Sequence, residues 1–368
     1  MQNSDVFYPQ HFRKTRPYVK GFAEDVEALL MSGKADPRSC MSLSAKHIFG
    51  EYKKHGIAPT DRDFDTQGFT VENQAALVYA EWARHGAATY VFKEPLVDAL
   101  LATDVNDVKI WDLEFPFDCV YFHFGARPDL LLQSGAPVTG AYLLWSRGLS
   151  LRVVLTAPLP ESTLFKDKWA ETYDLRLLPH TFHLGLEDAI ERALADDLDD
   201  LKDAAKKVAA QNHPMAAASV ATTEAFIRRN EANHATFTKC LQLIASALCY
   251  VEAYPSDAST TWQVGTPAKL REKAETAAPK EAGRAASKLN AMGYRKVRYI
   301  GGQFAEAAER SEGAEAGHRD PHMRRAHWRW QAHGPKMSLR KLIRVQATRV
   351  LGGVFSTEPR VYSTAPAN

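Results

Sequence analysis

An α+β fold follows from three features of the sequence. Helical periodicity fills the first hundred residues, short β-branched and aromatic runs replace it in the middle, and helix returns before a basic, aromatic C-terminal segment. The expected layout is a helical N-terminal part over 13–102, a central mostly antiparallel sheet over 107–178, helices over 186–253, and a small basic β-containing segment at the end. A chain of 368 residues is long enough for two globular units. They are expected as an α+β body over 1–265 and a basic C-terminal domain over 294–368, joined by a linker or exposed helices at 266–293.

Each element has its own signal. Phe22, Val26, Leu29 and Leu30 recur at three- and four-residue spacing, and 75–84 and 95–102 repeat the pattern. Gly33, Pro37, Gly56, Pro59 and Gly68 punctuate these helices, and the Asp-rich stretch 61–65 reads as a loop. The runs 108–113, 119–124, 141–145 and 149–156 read as strands, with 173–178 joining them. Ser146-Arg147-Gly148 suits a hairpin, because glycine adopts positive φ without steric cost. Ile190, Leu194, Leu198, Leu201, Ala205 and Val208 then form one helical stripe, and Asp196, Asp197, Asp199, Asp200 and Asp203 opposite it read as a solvated face. A second helix covers 216–253, and its end, 241–251, is apolar enough to be central. After the strand-like 294–300 comes Gly301-Gly302-Gln303, the tripeptide of translation release factors, although a strand-to-helix turn accounts for both glycines.

Composition bounds the function. Hydrophobic residues at 45%, charged residues at 24% and a mean hydropathy of −0.33 exclude a disordered, collagen-like or membrane-embedded chain. The longest uncharged run, 130–146, is interrupted by glycine, proline and polar residues, whereas a spanning helix needs about 20 mostly apolar residues. The basic N-terminal cluster of Arg13, Lys14, Arg16 and Lys20 is followed by no signal-like apolar region, so a cytoplasmic location is expected. Cys40, Cys119, Cys240 and Cys249 are scattered and read as reduced thiols. No phosphate-binding loop, dinucleotide fingerprint or hydrolase elbow occurs, and nothing calls for a cofactor.

Net charge is only +2, yet it is unevenly spread. Eight acids face two cations between Glu187 and Asp203, whereas nine Lys or Arg face the single Asp320 between His318 and Arg349. That basic tail also carries aromatic rings. Guanidinium groups bind phosphates bidentately and aromatic rings stack on unpaired bases, so Arg324, Arg325, His327, Trp328, Arg329, Trp330, Lys336, Arg340, Lys341 and Arg344 are the candidate nucleic-acid-binding residues. The plainer reading puts Trp328 and Trp330 in a core and leaves the cations exposed. His318, His322, His327 and His333 are spaced by four, five and six residues with no cysteine nearby, which fits no standard zinc site. His327 beside the arginines is an alternative catalytic base for metal-independent RNA cleavage, since imidazole titrates near neutrality. A DNA-binding regulator of a plasmid or phage is the remaining alternative.

The run Pro321-His322-Met323-Arg324-Arg325-Ala326-His327-Trp328, followed by a basic strand, resembles the C-terminal signature of the second family of type V-A anti-CRISPR proteins, which occur on phages and plasmids. Phe115-Pro116-Phe117-Asp118-Cys119-Val120-Tyr121 and the stretch 243–257, with its Glu252-Ala253-Tyr254-Pro255-Ser256-Asp257 end, are similar more weakly. Ala326 stands where the family pattern has glycine, a change that matters if that glycine serves a positive φ or a close approach to ligand. The resemblance implies a counter-defence adaptor of a mobile genetic element. Its expected partners are the nascent polypeptide of a type V-A CRISPR effector and RNA or the ribosome, without a membrane, and the expected outcome is translation-coupled loss of the message.

Overall fold

The computed structural model describes residues 7–33, 37–54, 66–158, 172–210, 216–304, 322–324, 326–345 and 348–350. Helices α1 (Tyr8–Thr15), α2 (Tyr18–Met31), α3 (Pro37–Lys54) and α4 (Thr66–Arg84) open the chain. The helical reading of the N-terminal part fails at one place, where Thr89-Tyr90-Val91-Phe92 forms strand β1 (Thr89–Phe92). Gly86, at φ 86°, follows α4, and Pro95 starts α5 (Glu94–Leu101), so the run between them is too short to display either period. Strand β2 (Thr103–Asp104) follows, and 108–113, read as a strand, contains a 3-10 turn over Ile110–Asp112 instead.

The expected meander is present as β3 (Cys119–Leu131), β4 (Pro137–Ser146), β5 (Ser150–Thr156) and β6 (Thr172–Leu177). Helices α6 (Leu186–Ala209) and α7 (Ala216–Ala253) come next. Strands β7 (Ala258–Trp262) and β8 (Lys296–Ile300) are separated by α8 (Ala268–Thr276) and α9 (Pro279–Met292). Seven strands form one sheet in the order β6-β5-β4-β3-β1-β8-β7. Four of its pairings are antiparallel and two parallel, because β1 lies between β3 and β8 and runs parallel to both. Residues 266–293 are thus a helical hairpin inserted between adjacent strands, and the chain after them returns to the body's sheet instead of starting apart from it.

Alternation along β3 dictates the layers. Val120, Phe122 and Phe124 point into a cluster with α5, α6 and α7, while Cys119 and Tyr121 point into a second cluster with α1, α2 and α4. Helix α7 is buried all round between Leu241 and Tyr250 except at Gln242, which makes it the central support of the first layer. Two glycines are fixed by contact. A Cβ on Gly140 would lie 2.2 Å from the Phe122 carbonyl oxygen, and one on Gly301, at φ 94°, would lie 2.8 Å from the Leu96 side chain. The Gly-Gly-Gln tripeptide therefore has a packing explanation: β8 turns sharply over α5, and the Gln303 N–H donates to Asp257 Oδ1 at 2.8 Å.

Among the described residues, no helix is long and apolar enough to cross a membrane. All four cysteines are free; Cys119, Cys240 and Cys249 are buried, and burial raises their thiol pKa values.

The second layer holds a fully buried ion pair. Arg16 Nε lies 2.7 Å from Glu72 Oε1 with neither side chain exposed, and the Tyr18 hydroxyl donates to the same oxygen at 3.0 Å. Burial disfavours the Arg16 charge, but the charge and hydrogen bond of Glu72 outweigh it and raise the guanidinium pKa. Glu72→Ala strands a buried cation and should cost about 3–5 kcal/mol in urea denaturation. Replacing both partners, as Arg16→Met with Glu72→Leu, should recover much of that loss. Equal losses in the single and double variants would mean that the cost comes from losing the pair's own contacts and not from a stranded charge.

Candidate nucleic-acid interface

The basic tail folds as strands β9 (His322–Arg324), β10 (Ala326–His333), β11 (Leu339–Val345) and β12 (Thr348–Val350). β10 and β11 form an antiparallel hairpin with Trp328 opposite Arg344 and Trp330 opposite Leu342. On its other side β10 pairs in parallel with β2, Ala326 opposite Thr103. β9 pairs with β12, which puts Arg324 opposite Thr348.

Alternation divides the hairpin into two faces. The inner face carries Ala326, Trp328 and Trp330 on β10 and Arg344, Leu342 and Arg340 on β11. Trp328 is 2% exposed, and its indole N–H donates to the Ser246 hydroxyl of α7 at 3.0 Å. Leu342 is buried beside it in the first core cluster. Arg344 donates to Thr103 Oγ1 and to the Ala99 carbonyl oxygen, both at 3.0 Å, closing the C-terminal end of α5. These contacts correct two of the expected binding residues. Trp328 cannot stack on a base while it fills the core, and Arg344 spends its guanidinium on the protein.

Trp330 lies on the same face as Trp328 yet is 41% exposed, because the body ends between them and the hairpin overhangs it. Arg340, exposed, is diagonal to Trp330 across the strand pair, within reach for a combined ring and cation surface. The outer face carries exposed Arg329 and Lys341, likewise diagonal, and half-buried His327. Lys336 and Met337 form the tip with positive φ of 54° and 57°, a conformation that costs non-glycine residues energy and fixes the turn's shape. Met337 and Leu339 are 65% and 53% exposed there. No acid occurs between Ala326 and Val345, so Arg329, Lys336, Arg340 and Lys341 face solvent without a compensating charge on the hairpin.

Arg325 lies outside the described residues, as does His318. His333 shares the outer face with His327 but is six residues along the strand, about 20 Å away at the strand rise, too far for both to act on one phosphate. Among the described residues, no group of three or more His, Cys, Asp or Glu side chains is placed to hold a metal. Ala326 is buried in extended backbone and is not among the positive-φ residues, so this strand position needs no glycine for its φ.

The anti-CRISPR type V subtype A2 (AcrVA2-like) family model matches residues 90–352, from the second residue of β1 past the end of β12. Helices α1–α4 precede that match. One solved structure, the crystal structure of AcrVA2, is similar with a TM-score of 0.44 and 15% identity, covering 93% of this chain and 97% of that one. No curated protein matches.

Two measurements check the interface. With four exposed cations neutralising phosphates, log affinity for a labelled single-stranded RNA should fall against log salt with a slope of about −3. An affinity indifferent to salt would reject charge as its source. Trp330→Phe should abolish RNA-induced fluorescence quenching with stability unchanged. Trp328→Phe should keep the quenching but lose about 1–2 kcal/mol, since the Ser246 hydroxyl loses its partner.

Proposed function

The chain belongs to the anti-CRISPR type V subtype A2 (AcrVA2-like) family, and from that premise we propose that it is a counter-defence adaptor: its body recognises a newly made type V-A effector polypeptide and its basic hairpin reaches RNA or the ribosome. The observation that carries the second half is the overhanging hairpin. Trp328 and Arg344 anchor it to α7 and α5, and this leaves Arg329, Trp330, Lys336, Arg340 and Lys341 turned to solvent. A core that merely closed itself would have no reason to carry an uncompensated basic tip beyond the body.

Chemistry separates this reading from an enzyme or a repressor. A nuclease or a DNA-binding regulator reads bases or nucleic-acid shape, whereas an adaptor for nascent chains reads peptide side chains and acts only on a message being translated. The effector's transcript should therefore fall when its reading frame is intact and persist when an early stop codon prevents synthesis. Synonymous recoding and exchanged untranslated regions should leave the loss unchanged. Equal loss of both messages, or loss of neither, rejects the adaptor.

A further inference from the structure

One edge of the central sheet opens into a cavity. Among the described residues β6 pairs with β5 alone, and beside its other edge lies a space of about 360 Å³ lined by Thr70 and Gln74 of α4, by α6 and by Arg229 and Asn230 of α7. Arg229 shows which way the backbone faces. Its guanidinium lies 4.4 Å from the Tyr173 ring and donates to the Thr172 carbonyl oxygen at 2.7 Å, so that carbonyl turns away from β5. Alternation in an antiparallel pair then turns the main-chain N–H and C=O of Asp174 and Arg176 to the same edge. Neither has a main-chain partner on that side among the described residues. An unpaired edge is a template for another strand, and proteins ordinarily blunt it.

The side chains around this edge carry both signs, Asp174, Asp196, Asp197 and Asp200 beside Arg176 and Arg229. Asp174 is paired with Arg152, and Asp196 with His180 and Arg192. Asp197 is half-buried, not on a solvated face as the helical stripe suggested, and accepts one hydrogen bond from Asn230 Nδ2 at 2.8 Å. Burial first, then the neighbouring charges of Asp174 and Asp200, push its carboxyl up to about 6, against the opposing Asn230 bond and Arg176 charge. α4 contributes only uncharged Thr70 and Gln74 to the cavity.

We propose that the free edge of β6 binds an extended polypeptide segment as an added strand, with a Lys or Arg side chain of that segment entering the cavity toward Asp197 and Asp200. Main-chain bonds to Asp174 and Arg176 supply the grip, and the acids select a basic residue. The site rests on the adaptor reading only for whose polypeptide is bound.

The experiment uses the purified full chain and fluorescein-labelled peptides tiled across a type V-A effector. Bound tiles should carry Lys or Arg, and adding one should slow hydrogen exchange at the Asp174 and Arg176 amides. Arg176→Pro removes an edge N–H without taking a bond from β5 and should weaken binding about three- to tenfold. Asp197→Asn with Asp200→Asn should weaken it about tenfold and remove the loss of affinity expected as pH falls through about 6. Tiles that bind with no response to either variant overturn the site but leave the adaptor standing. Amides already protected in the free chain mean that the edge is filled by the chain itself, and they overturn the site, as does a failure of every tile to bind while the translated message is still lost.

Discussion

Everything else in the molecule is arranged around a sheet that is apolar on both faces. Val120 and Phe122 need cover on one side of β3, Cys119 and Tyr121 on the other, and a half-solvated meander could satisfy only one of these sets. Two helical layers are the solution. Once α6 and α7 lie on one side and α1, α2 and α4 on the other, the parts of the sheet left without cover are its edges.

That constraint explains the split of charge. The tail is held by a few inward groups, an indole on α7 and a guanidinium at the end of α5, and everything beyond them projects past the body. The cations there have no acids on their own hairpin, while several acids of α6 gather at the opposite kind of place, beside the edge strand β6. Net charge near zero conceals a basic and an acidic stretch of one chain.

Much of this was legible in the sequence, and the failures share one physical cause. Strands β3, β4 and β5 and helices α6 and α7 carry enough residues to display their period, and the hairpin glycine at 148 has the positive φ its turn requires, 70°. β1 has only four residues, and its partners on both sides come from far along the chain, so no local pattern announces it. Within the basic segment, Arg329, Trp330, Lys336, Arg340 and Lys341 are exposed, whereas Trp328 and Arg344 turn inward. Which members turn inward depends on where the body ends, a property of α7 and α5 and not of the strand. Trp328 and Trp330 have the same parity and opposite fates for that reason. Asp197 was misread for a similar one: its burial comes from β6 and α7, not from its own helix.

The position of β8 has a consequence for how the chain comes into being. Arg298 pairs with Tyr90 across 208 residues, and β1 stays an open parallel edge until β8 arrives. Such a pairing pays a large loop-closure entropy before any contact rewards it, which makes closure slow and leaves apolar surface exposed meanwhile. The α8–α9 hairpin shortens the last step, since it returns β8 directly alongside β7. The step that closes this edge is the docking of the β7–β8 pair onto β1, with β10, further along the chain, still to pair with β2. Synthesis from the N-terminus holds the protein in an unfinished, association-prone state until nearly three hundred residues have been made.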